Sequence, residues 1–325
     1  MVVLKGIRKK LAGATIIRIR KERKIMNIMI LVNKDFEYAG YRAGVDSRIR
    51  ANAASNLNEI AYDTGIGPDK LHMSRMYKLG VNTVREYCIC YLFPAGANTS
   101  NSEMKYSLVR NLIKQEAEKN FIDLIISVST GESTPAVEDE YKTVNGCVYI
   151  GHKFFVRDCR DCDQNTTSYL KVDNQYYKGL VDNKIFDLIT SKKEQIEAGM
   201  KTTPRTPNPK PFVCADKDIV SLGVVNVVNY SAYGDADPTT YKEYIAKGQV
   251  GLPVCLETTH VVVKMAEDAV MGDRTPVLFV TPIVDRYEHF NDDVDDKWGH
   301  QNLTSSYNAG VVVANILENV INELY

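Results

Sequence analysis

Short apolar blocks alternate with segments of helical periodicity along most of the chain. We predict buried strands over residues 27–33, 86–93, 122–128, 224–228 and 277–281. Apolar side chains recur at spacings of three and four in the intervening segments, and this predicts helices over residues 103–119, 183–198, 238–247 and 306–324. Strands that alternate with helices indicate an α/β fold, here with a central mixed sheet flanked by helices.

Two segments interrupt this pattern. Residues 1–25 are rich in Lys and Arg, and we interpret them as a basic extension outside the core, which then begins at Met26. An Arg-rich targeting segment is the alternative. Residues 202–211 contain four prolines (Pro204, Pro207, Pro209 and Pro211) without apolar periodicity. We predict an insertion loop within a single domain, residues 26–325, although a domain boundary is the alternative.

Charge and composition narrow the possible partners. The 325 residues carry 40 basic and 41 acidic side chains, for a formal net charge of -1. No global field therefore favours nucleic acid or an anionic membrane surface, and we predict a small-molecule ligand instead. No apolar run reaches the length of a membrane span, and the start lacks the pattern of a secretory signal, so a cytoplasmic location is expected.

The cysteines favour reduced thiols. The chain has 7 of them, an odd number, scattered and partly within apolar runs. Cys159 and Cys162 form a C-x-x-C pair, but no second pair at zinc spacing accompanies it. We interpret the pair as part of a polar loop, with a metal or redox role as the alternative, and we predict neither a metal nor a cofactor.

Three acidic residues stand where apolar blocks end or within them. Glu37 follows the first block, Glu257 lies in the apolar stretch 252–263, and Asp285 follows the apolar run that starts at Val277. In open α/β sheets, ligands bind beyond the carboxyl ends of strands, which makes these acids candidates for chemistry. A buried carboxylate needs a partner, and for Glu257 this is either a ligand or a buried Lys or His such as His260.

The segments around these acids resemble a known family. Met26 to Glu37 resembles the opening of the 5'-methylthioadenosine/S-adenosylhomocysteine nucleosidases, which belong to the purine nucleoside phosphorylase superfamily. The segment Leu256-Glu-Thr-Thr259 is similar to the family's Met-Glu-Ala-Thr segment. The strand from Val277 to Asp285 is similar to the one that ends in a Ser-Asp pair. The three motifs occur in the family's order and cover most of the chain after residue 25.

The resemblance implies a role for each acid. Glu37 is expected to position the attacking water, Glu257 to hold the ribose hydroxyls, and Asp285 to deliver a proton to purine N7. It also implies substrate contacts for Leu256 beside Glu257, and a homodimer as the assembly.

This chain departs from the family pattern at two points. The Gly-rich turn appears only as Ser129-Thr-Gly-Glu-Ser133, where Thr130 and Gly131 are the expected substrate contacts, and Val284 replaces the serine before the catalytic aspartate. Tyr233 matches the position of the purine-stacking aromatic residue by spacing, with Tyr230 as the alternative.

The chemistry of N-glycosidic cleavage suits these residues. The base leaves more easily when protonated, and a nucleophile must lie beneath the anomeric carbon, so one carboxyl acts as an acid and another activates water. The phosphate-binding motifs of the phosphorylases are missing, since Ser127 stands where an arginine is expected, and Arg42 and Arg48 are interpreted as solvated. We therefore predict hydrolysis of a purine, adenine-type nucleoside. A phosphorylase and a non-catalytic nucleoside- or nucleotide-binding module are the alternatives.

One further segment has two possible roles. The acidic, aromatic stretch 287–298 follows Asp285, and it is either a lid over the site or a solvated surface loop.

Overall fold

A computed structural model describes residues 25–51, 75–79, 81–140, 144–160, 169–173, 175–205, 210–227, 230–294 and 299–324, with the backbone alone for residues 50, 51 and 230–237. The strands are β1 (Asn27–Val32), β2 (Arg75–Leu79), β3 (Asn82–Cys88), β4 (Leu124–Val128), β5 (Gly131–Ser133), β6 (Val148–Gly151), β7 (Lys153–Asp158), β8 (Tyr176–Lys178), β9 (Val213–Ala215), β10 (Ile219–Val225), β11 (Leu252–Glu257) and β12 (Val277–Asp285). The helices are α1 (Asp35–Ala51), α2 (Ser102–Lys119), α3 (Pro135–Glu140), α4 (Lys184–Ser191), α5 (Lys193–Glu197), α6 (Tyr230–Ala246), α7 (His260–Met271), α8 (Phe290–Asp293), α9 (His300–Ile316) and α10 (Asn322–Leu324).

The described strands form one mixed sheet. Its order is β2-β3-β1-β4-β12-β5-β11-β10-β7-β8, and β6 joins β12 to β9. β1 is parallel to β3 and β4, and β12 is parallel to β4, whereas β5 is antiparallel to β11. The predicted α/β class with a central mixed sheet flanked by helices is confirmed.

Alternate residues of β1 pack on opposite faces of the sheet. Ile28 and Ile30 belong to a core cluster that includes Tyr41 of α1 and Val312 of α9. Met29 and Leu31 belong to a second cluster, together with residues of α2 and α7. Because both faces are covered by helices, the central strands are apolar on both sides, which explains their continuous apolar runs.

Helices α1 and α9 approach each other closely at two glycines. A Cβ atom on Gly310 would lie 1.9 Å from the carbonyl oxygen of Tyr41, and one on Gly44 would lie 2.1 Å from that of Tyr307. Such separations are shorter than any van der Waals contact, so a side chain at either position would push the helices apart. This crossing fixes α1, and with it the residues of its first turn.

Most predicted elements occur, with shifted ends. β1, β4, β12 and α2 match the predicted positions closely. The block 86–93 was predicted as a strand, but β3 ends at Cys88 and a 3-10 helix (Ile89–Leu92) follows. The backbone N–H of Cys90 donates to the carbonyl of Asn33, which turns the chain at the end of β1. Apolar character alone does not distinguish a strand from a buried turn.

Other boundaries moved for local reasons. β10 begins at Ile219, earlier than the predicted start at residue 224, because Ser221 and Gly223 interrupt the apolar run on which the prediction relied. It ends before Asn226, whose φ is 67°. The helix predicted over 183–198 divides into α4 and α5 at Lys192. The helix predicted over 306–324 starts at His300 and passes through a π-helical segment (Leu317–Ile321) into α10. The helix predicted over 238–247 begins earlier, at Tyr230.

Several predictions lie partly or wholly outside the described residues. Residues 1–24 and 206–209 are among these, so the basic extension, the Pro-rich loop and the extent of the domain stay predictions. Met26 is 1% exposed, and its backbone N–H donates to Asn82 Oδ1 at 3.1 Å. Of the helices that the structure describes, none is both long and apolar enough to cross a membrane.

Candidate active site

Glu37 lies in the first turn of α1, immediately after β1. An acidic residue is favoured there because the helix N-terminus carries partial positive charge. The side chain is 2% exposed, and Thr130 Oγ1 donates a hydrogen bond to its Oε1 at 2.9 Å. Its Oε2 is buried and has no hydrogen-bond partner among the described residues. Glu37 therefore offers one free acceptor atom inside the protein.

Two opposing effects act on the Glu37 carboxyl. Burial raises its pKa above the ordinary value, while the positive charges of Lys34 and Lys105 and the hydrogen bond from Thr130 lower it. Burial is the largest of these effects. A carboxyl whose pKa lies nearer to neutrality is a stronger base than an exposed one once it is ionised.

Glu257 ends β11 and is 1% exposed. Ser221 Oγ donates to its Oε1 at 3.0 Å, and the backbone N–H groups of Thr259 and His260 donate to its Oε2, the latter at 2.7 Å. The carboxylate therefore caps the start of α7. Glu257 therefore has protein partners that neither predicted alternative included, because a hydroxyl 36 residues away and the backbone of the following turn supply the donors. A carboxylate has about four acceptor positions, so about one remains for a ligand hydroxyl.

The His260 imidazole does not pair with Glu257, which corrects that alternative. Its Nδ1 and Nε2 each lie 2.8 Å from a hydroxyl, Ser127 Oγ in β4 and Thr281 Oγ1 in β12. Burial lowers the pKa of His260, so the ring is neutral and joins the start of α7 to two strands. These bonds hold Glu257 in place relative to β4.

Lys105 is the site residue that sequence reasoning missed. It lies in α2, is 1% exposed, and its Nζ donates to Thr259 Oγ1 at 3.2 Å. Burial lowers its pKa to about 8, and the charges of Glu37 and Glu257 act in the opposite direction. The signal was present in the sequence, because Lys105 shares the helical spacing of the buried residues Val109 and Leu112. One lysine on an apolar helical stripe was overlooked there.

Asp285 ends β12 and is 4% exposed. In the sheet register it is paired with Glu132 of β5. Burial raises the pKa of Asp285 well above its ordinary value, and the negative charges of Glu132, Asp293 and Glu138 add to this effect. No described residue forms a hydrogen bond with its carboxyl. Burial and the neighbouring acids therefore both favour the protonated form of Asp285.

The acidic neighbours of Asp285 have partners of their own. Glu138 accepts hydrogen bonds from Ser133 Oγ and from the backbone N–H of Tyr287, at 2.7 Å for the latter. Glu132 accepts from the backbone N–H of Glu288 at 2.9 Å. Asp293 pairs with Arg286. These contacts stabilise the neighbouring acids, whose negative charges raise the pKa of Asp285.

The stretch 287–298 is described up to residue 294. It contains α8, which begins at Phe290, and Asp293 within it is buried and accepts from Asn145 Nδ2 at 3.0 Å. Residues 295–298 lie outside the described part of the chain. Asp293 ties the start of this stretch to the protein body, and its role as a lid stays a prediction.

Gly131 is the first residue of β5 and directly follows Thr130. A Cβ atom there would lie 2.8 Å from Thr281 Cγ2 and 3.0 Å from the carbonyl oxygen of Leu256. Only glycine fits between β12 and β11 at this point. The side chain of Leu256 is buried in a cluster with Phe155 and other residues of β7 and β10.

The substrate contacts expected from the resemblance have not all been located. The roles of Thr130, Gly131 and Leu256 in binding stay predictions. Tyr230 and Tyr233 lie in α6, but their side chains are outside the described residues.

The cysteine pair, the two arginines near Glu37 and one cluster of acids also have structural partners. Cys159 lies in an irregular segment after β7, as the predicted loop requires, but its side chain is buried and accepts from Arg157 Nη1 at 2.8 Å; Cys162 lies outside the described residues. Arg48 donates to Asn315 Oδ1 at 2.8 Å, and Arg42 lies 3.9 Å from Asp46. The acids Glu267, Asp268 and Asp273 are close enough to hold a metal ion, but all three bind the ammonium of Lys264.

Comparisons with known proteins address the fold. No family model matches the sequence, and no curated protein matches it either. Many solved structures are similar to this chain in fold, among them two nucleosidases and a phosphorylase. The 5'-methylthioadenosine/S-adenosylhomocysteine nucleosidase of Neisseria meningitidis, in complex with methylthio-immucillin-A, has a TM-score of 0.52 and 9% identity over 91% of this chain and 100% of its own. The 5'-methylthioadenosine nucleosidase of Arabidopsis thaliana has a TM-score of 0.53 and 12% identity over 92% and 97%.

The third is the purine nucleoside phosphorylase of Toxoplasma gondii in complex with immucillin-H. It has a TM-score of 0.50 and 10% identity over 98% of this chain and 100% of its own. At such identities the similarity establishes the fold alone, which this chain shares with these nucleosidases and with this phosphorylase. The fold implied by the three motifs is confirmed.

Proposed function

We propose that this protein is a nucleosidase that hydrolyses the N-glycosidic bond of a purine, adenine-type nucleoside to free base and a ribose derivative. One observation carries the proposal. Burial raises the pKa of two carboxyls at the ends of β1 and β12, but their charged neighbours act in opposite directions, since cations lower the pKa of Glu37 and acids raise that of Asp285 further. Pairs of this kind separate an acid from a base at one pH.

In the proposed reaction every proton has a source and a destination. The bond between ribose C1' and purine N9 breaks, its electron pair moves into the purine, and Asp285 gives its proton to N7. Water forms the new bond to C1' and loses a proton to Glu37. Glu257 accepts hydrogen bonds from the ribose hydroxyls through its remaining acceptor position and stabilises positive charge on the sugar.

The choice of substrate rests on the similar structures. Two of them are named as nucleosidases of methylthioadenosine or S-adenosylhomocysteine. Water is proposed as the acceptor because Arg42 and Arg48 contact other residues, and Ser127, where phosphorylases carry an arginine, binds His260. The similarity to a purine nucleoside phosphorylase keeps phosphorolysis as the second candidate. Glu132 in the altered Gly-rich turn motivates the third, a nucleoside-binding module without turnover.

A single set of incubations separates these candidates. Purified full-length protein is incubated with methylthioadenosine, S-adenosylhomocysteine, adenosine, inosine or AMP, with and without phosphate, and free base and sugar product are quantified by chromatography. Hydrolysis predicts free base and a free ribose derivative without phosphate. Base release that requires phosphate would replace the proposal with phosphorolysis. Binding measured by calorimetry without base release would replace it with the binding module.

The proposal includes an assembly and a location. Following the family resemblance, we propose a homodimer that works in the cytoplasm. Light scattering on the purified protein at several concentrations tests the first statement, and a mass of one chain throughout would contradict it.

A further inference from the structure

We infer that Lys105 is a positioning residue of this site, whose ammonium group holds the turn that carries Glu257 and places a positive charge near both Glu257 and Glu37. This inference rests on the proposed function, because the two glutamates matter together only if they serve one substrate. It adds a cation to a site that the motifs describe by its acids alone.

A chain of hydrogen bonds connects Lys105 to Glu257. Lys105 Nζ donates to Thr259 Oγ1 at 3.2 Å, and the backbone N–H of Thr259 donates to Glu257 Oε2. Thr259 immediately precedes α7, which packs against α2. The lysine therefore holds the turn that orients the ribose-binding carboxylate.

Lys105 and Glu37 act on each other electrostatically, and each has unused hydrogen-bonding capacity. Lys105 has one hydrogen bond among the described residues, to Thr259, so two of its three N–H donors remain. Glu37 Oε2 is buried and also lacks a partner there. Buried polar groups are normally satisfied, and water or a ligand hydroxyl can bridge a donor and an acceptor of this kind. A water in this position is the proposed nucleophile.

Lys264 shows what a purely structural buried lysine looks like in this protein. It is also 1% exposed, and it binds three carboxylates, at 2.8 Å to Glu267 and 2.6 Å to Asp273, so its pKa is raised. Lys105 has no ion pair within 4.0 Å among the described residues. A buried cation without a direct ion pair destabilises a fold, so its presence needs a reason other than stability.

The charge of Lys105 responds to every element packed around it. Lys34 lowers its pKa, and Glu37, Glu257 and Cys90 raise it, while Lys105 in turn helps to lower the pKa of His260. With burial as the largest effect, the pKa of Lys105 falls to about 8. Above that pH the ammonium loses its proton, and both glutamates lose the positive charge of Lys105, while Lys34 still acts on Glu37.

Activity and stability should then change in opposite directions. The unfolded chain keeps Lys105 protonated up to its ordinary pKa, so between the two pKa values the unfolded state binds more protons, and stability contributed by this group rises with pH. Activity should fall over the same interval. Deprotonation of Asp285 also lowers activity in alkaline solution, so the part of the decline that belongs to Lys105 is the part that Lys105→Arg moves to higher pH.

The experiment compares Lys105→Met, Lys105→Arg and the exposed control Lys114→Met, which lies in the same helix. Base release from methylthioadenosine is measured from pH 5 to 10, together with thermal unfolding at each pH. We expect Lys105→Met to lower kcat/KM by at least about tenfold at neutral pH without loss of thermal stability. Lys105→Arg should keep activity to higher pH than the native protein, because arginine stays charged. Lys114→Met should match the native protein.

The outcomes separate this inference from the proposed function. If the native protein releases no base, the proposed function fails, and the same variants are compared by calorimetry with methylthioadenosine, where weaker binding by Lys105→Met alone supports the inference. If the native protein is active and folded Lys105→Met is equally active, only the Lys105 inference is overturned. An alkaline decline at the same pH in the native protein and in Lys105→Arg would also overturn it.

Discussion

Two groups of buried acids in this protein have opposite surroundings. Glu37 and Glu257 lie within the electrostatic reach of Lys105, and backbone or hydroxyl donors bind both. Asp285 lies instead beside Glu132, Glu138 and Asp293, with no described hydrogen-bond partner of its own. Neighbouring charges can therefore shift the pKa values of two carboxyl groups in opposite directions, so that one suits the role of an acid and the other that of a base.

The distribution of the basic side chains explains the contrast. Arg286 is adjacent to Asp285 in the chain, but its guanidinium binds Asp293, through Nη2 at 2.8 Å and Nε at 3.0 Å. Lys105 reaches the glutamates from α2, on another part of the chain. Asp285 thus has a cation next to it in sequence without being neutralised by it, whereas Glu257 is reached by Lys105, which is remote in sequence, and Glu37 by both Lys105 and the nearby Lys34.

The largest effect is expected from removing the acid. Asp285→Asn keeps the shape but cannot protonate the leaving base, so kcat should fall by roughly 10²- to 10⁴-fold. Because the pKa of Asp285 is raised in the folded state, the folded protein binds this proton more tightly than the unfolded chain does, and the free energy of unfolding falls as pH rises above the unfolded pKa. An asparagine does not titrate, so the variant lacks this loss of stability. Melting temperature at pH 7 should therefore stay equal or rise. Asp187→Asn, at an exposed position in α4, is the control. Full activity of Asp285→Asn would contradict the assignment of Asp285 as the acid.

Removing the base should have the next largest effect. Glu37→Gln keeps the acceptor atom for Thr130 but cannot take a proton from water, so kcat should fall by about 10²-fold while the KM changes little. Steady-state assays with Glu194→Gln as the exposed control measure this. A raised KM with unchanged kcat would instead assign Glu37 to substrate binding.

A smaller change tests the environment of Glu37 rather than the residue itself. Thr130→Val removes the hydrogen bond that lowers the pKa of Glu37, so this pKa should rise and the acidic limb of the pH profile should move to higher pH. The loss corresponds to about 1.5 kcal/mol, or roughly tenfold in rate on the acidic side. Exposed Thr190→Val serves as the comparison. A limb that stays in place would show that Thr130 does not tune the base.

The smallest effect tests the acidic surroundings of Asp285. Glu132→Gln removes one negative neighbour, so the pKa of Asp285 should fall and the alkaline limb should move to lower pH, with less than about fivefold change in rate at neutral pH. The pH profile is measured beside that of exposed Glu118→Gln. A shift to higher pH would contradict the acidic cluster as the cause of Asp285's protonation.

The acids themselves could be found from the sequence because their signal is local. Glu37, Glu257 and Asp285 each follow or interrupt an apolar run, and the structure places Glu257 and Asp285 as the last residues of β11 and β12 and Glu37 in the first turn after β1. Strand periodicity and segment order reveal such positions without knowledge of the fold. The α/β class followed from the same pattern.

The partners could not be found this way. Ser221 binds Glu257 across a sheet pairing between β10 and β11, and Thr130 binds Glu37 from 93 residues away. Lys105 depends on how α2 packs against α7. Each contact is set by topology, which a run of apolar residues does not encode at any one position.

The pattern of apolar residues was thus enough to predict that Glu37, Glu257 and Asp285 are buried where strands end, because strand periodicity is a local property of the chain, but it did not reveal other buried carboxylates such as Glu86 and Glu267. Only the tertiary structure decided which of them stands beside a cation and which among other acids. The physical reason is that the proton affinity of a carboxyl depends on burial and on charges within several ångströms, and these come from segments far apart in the chain.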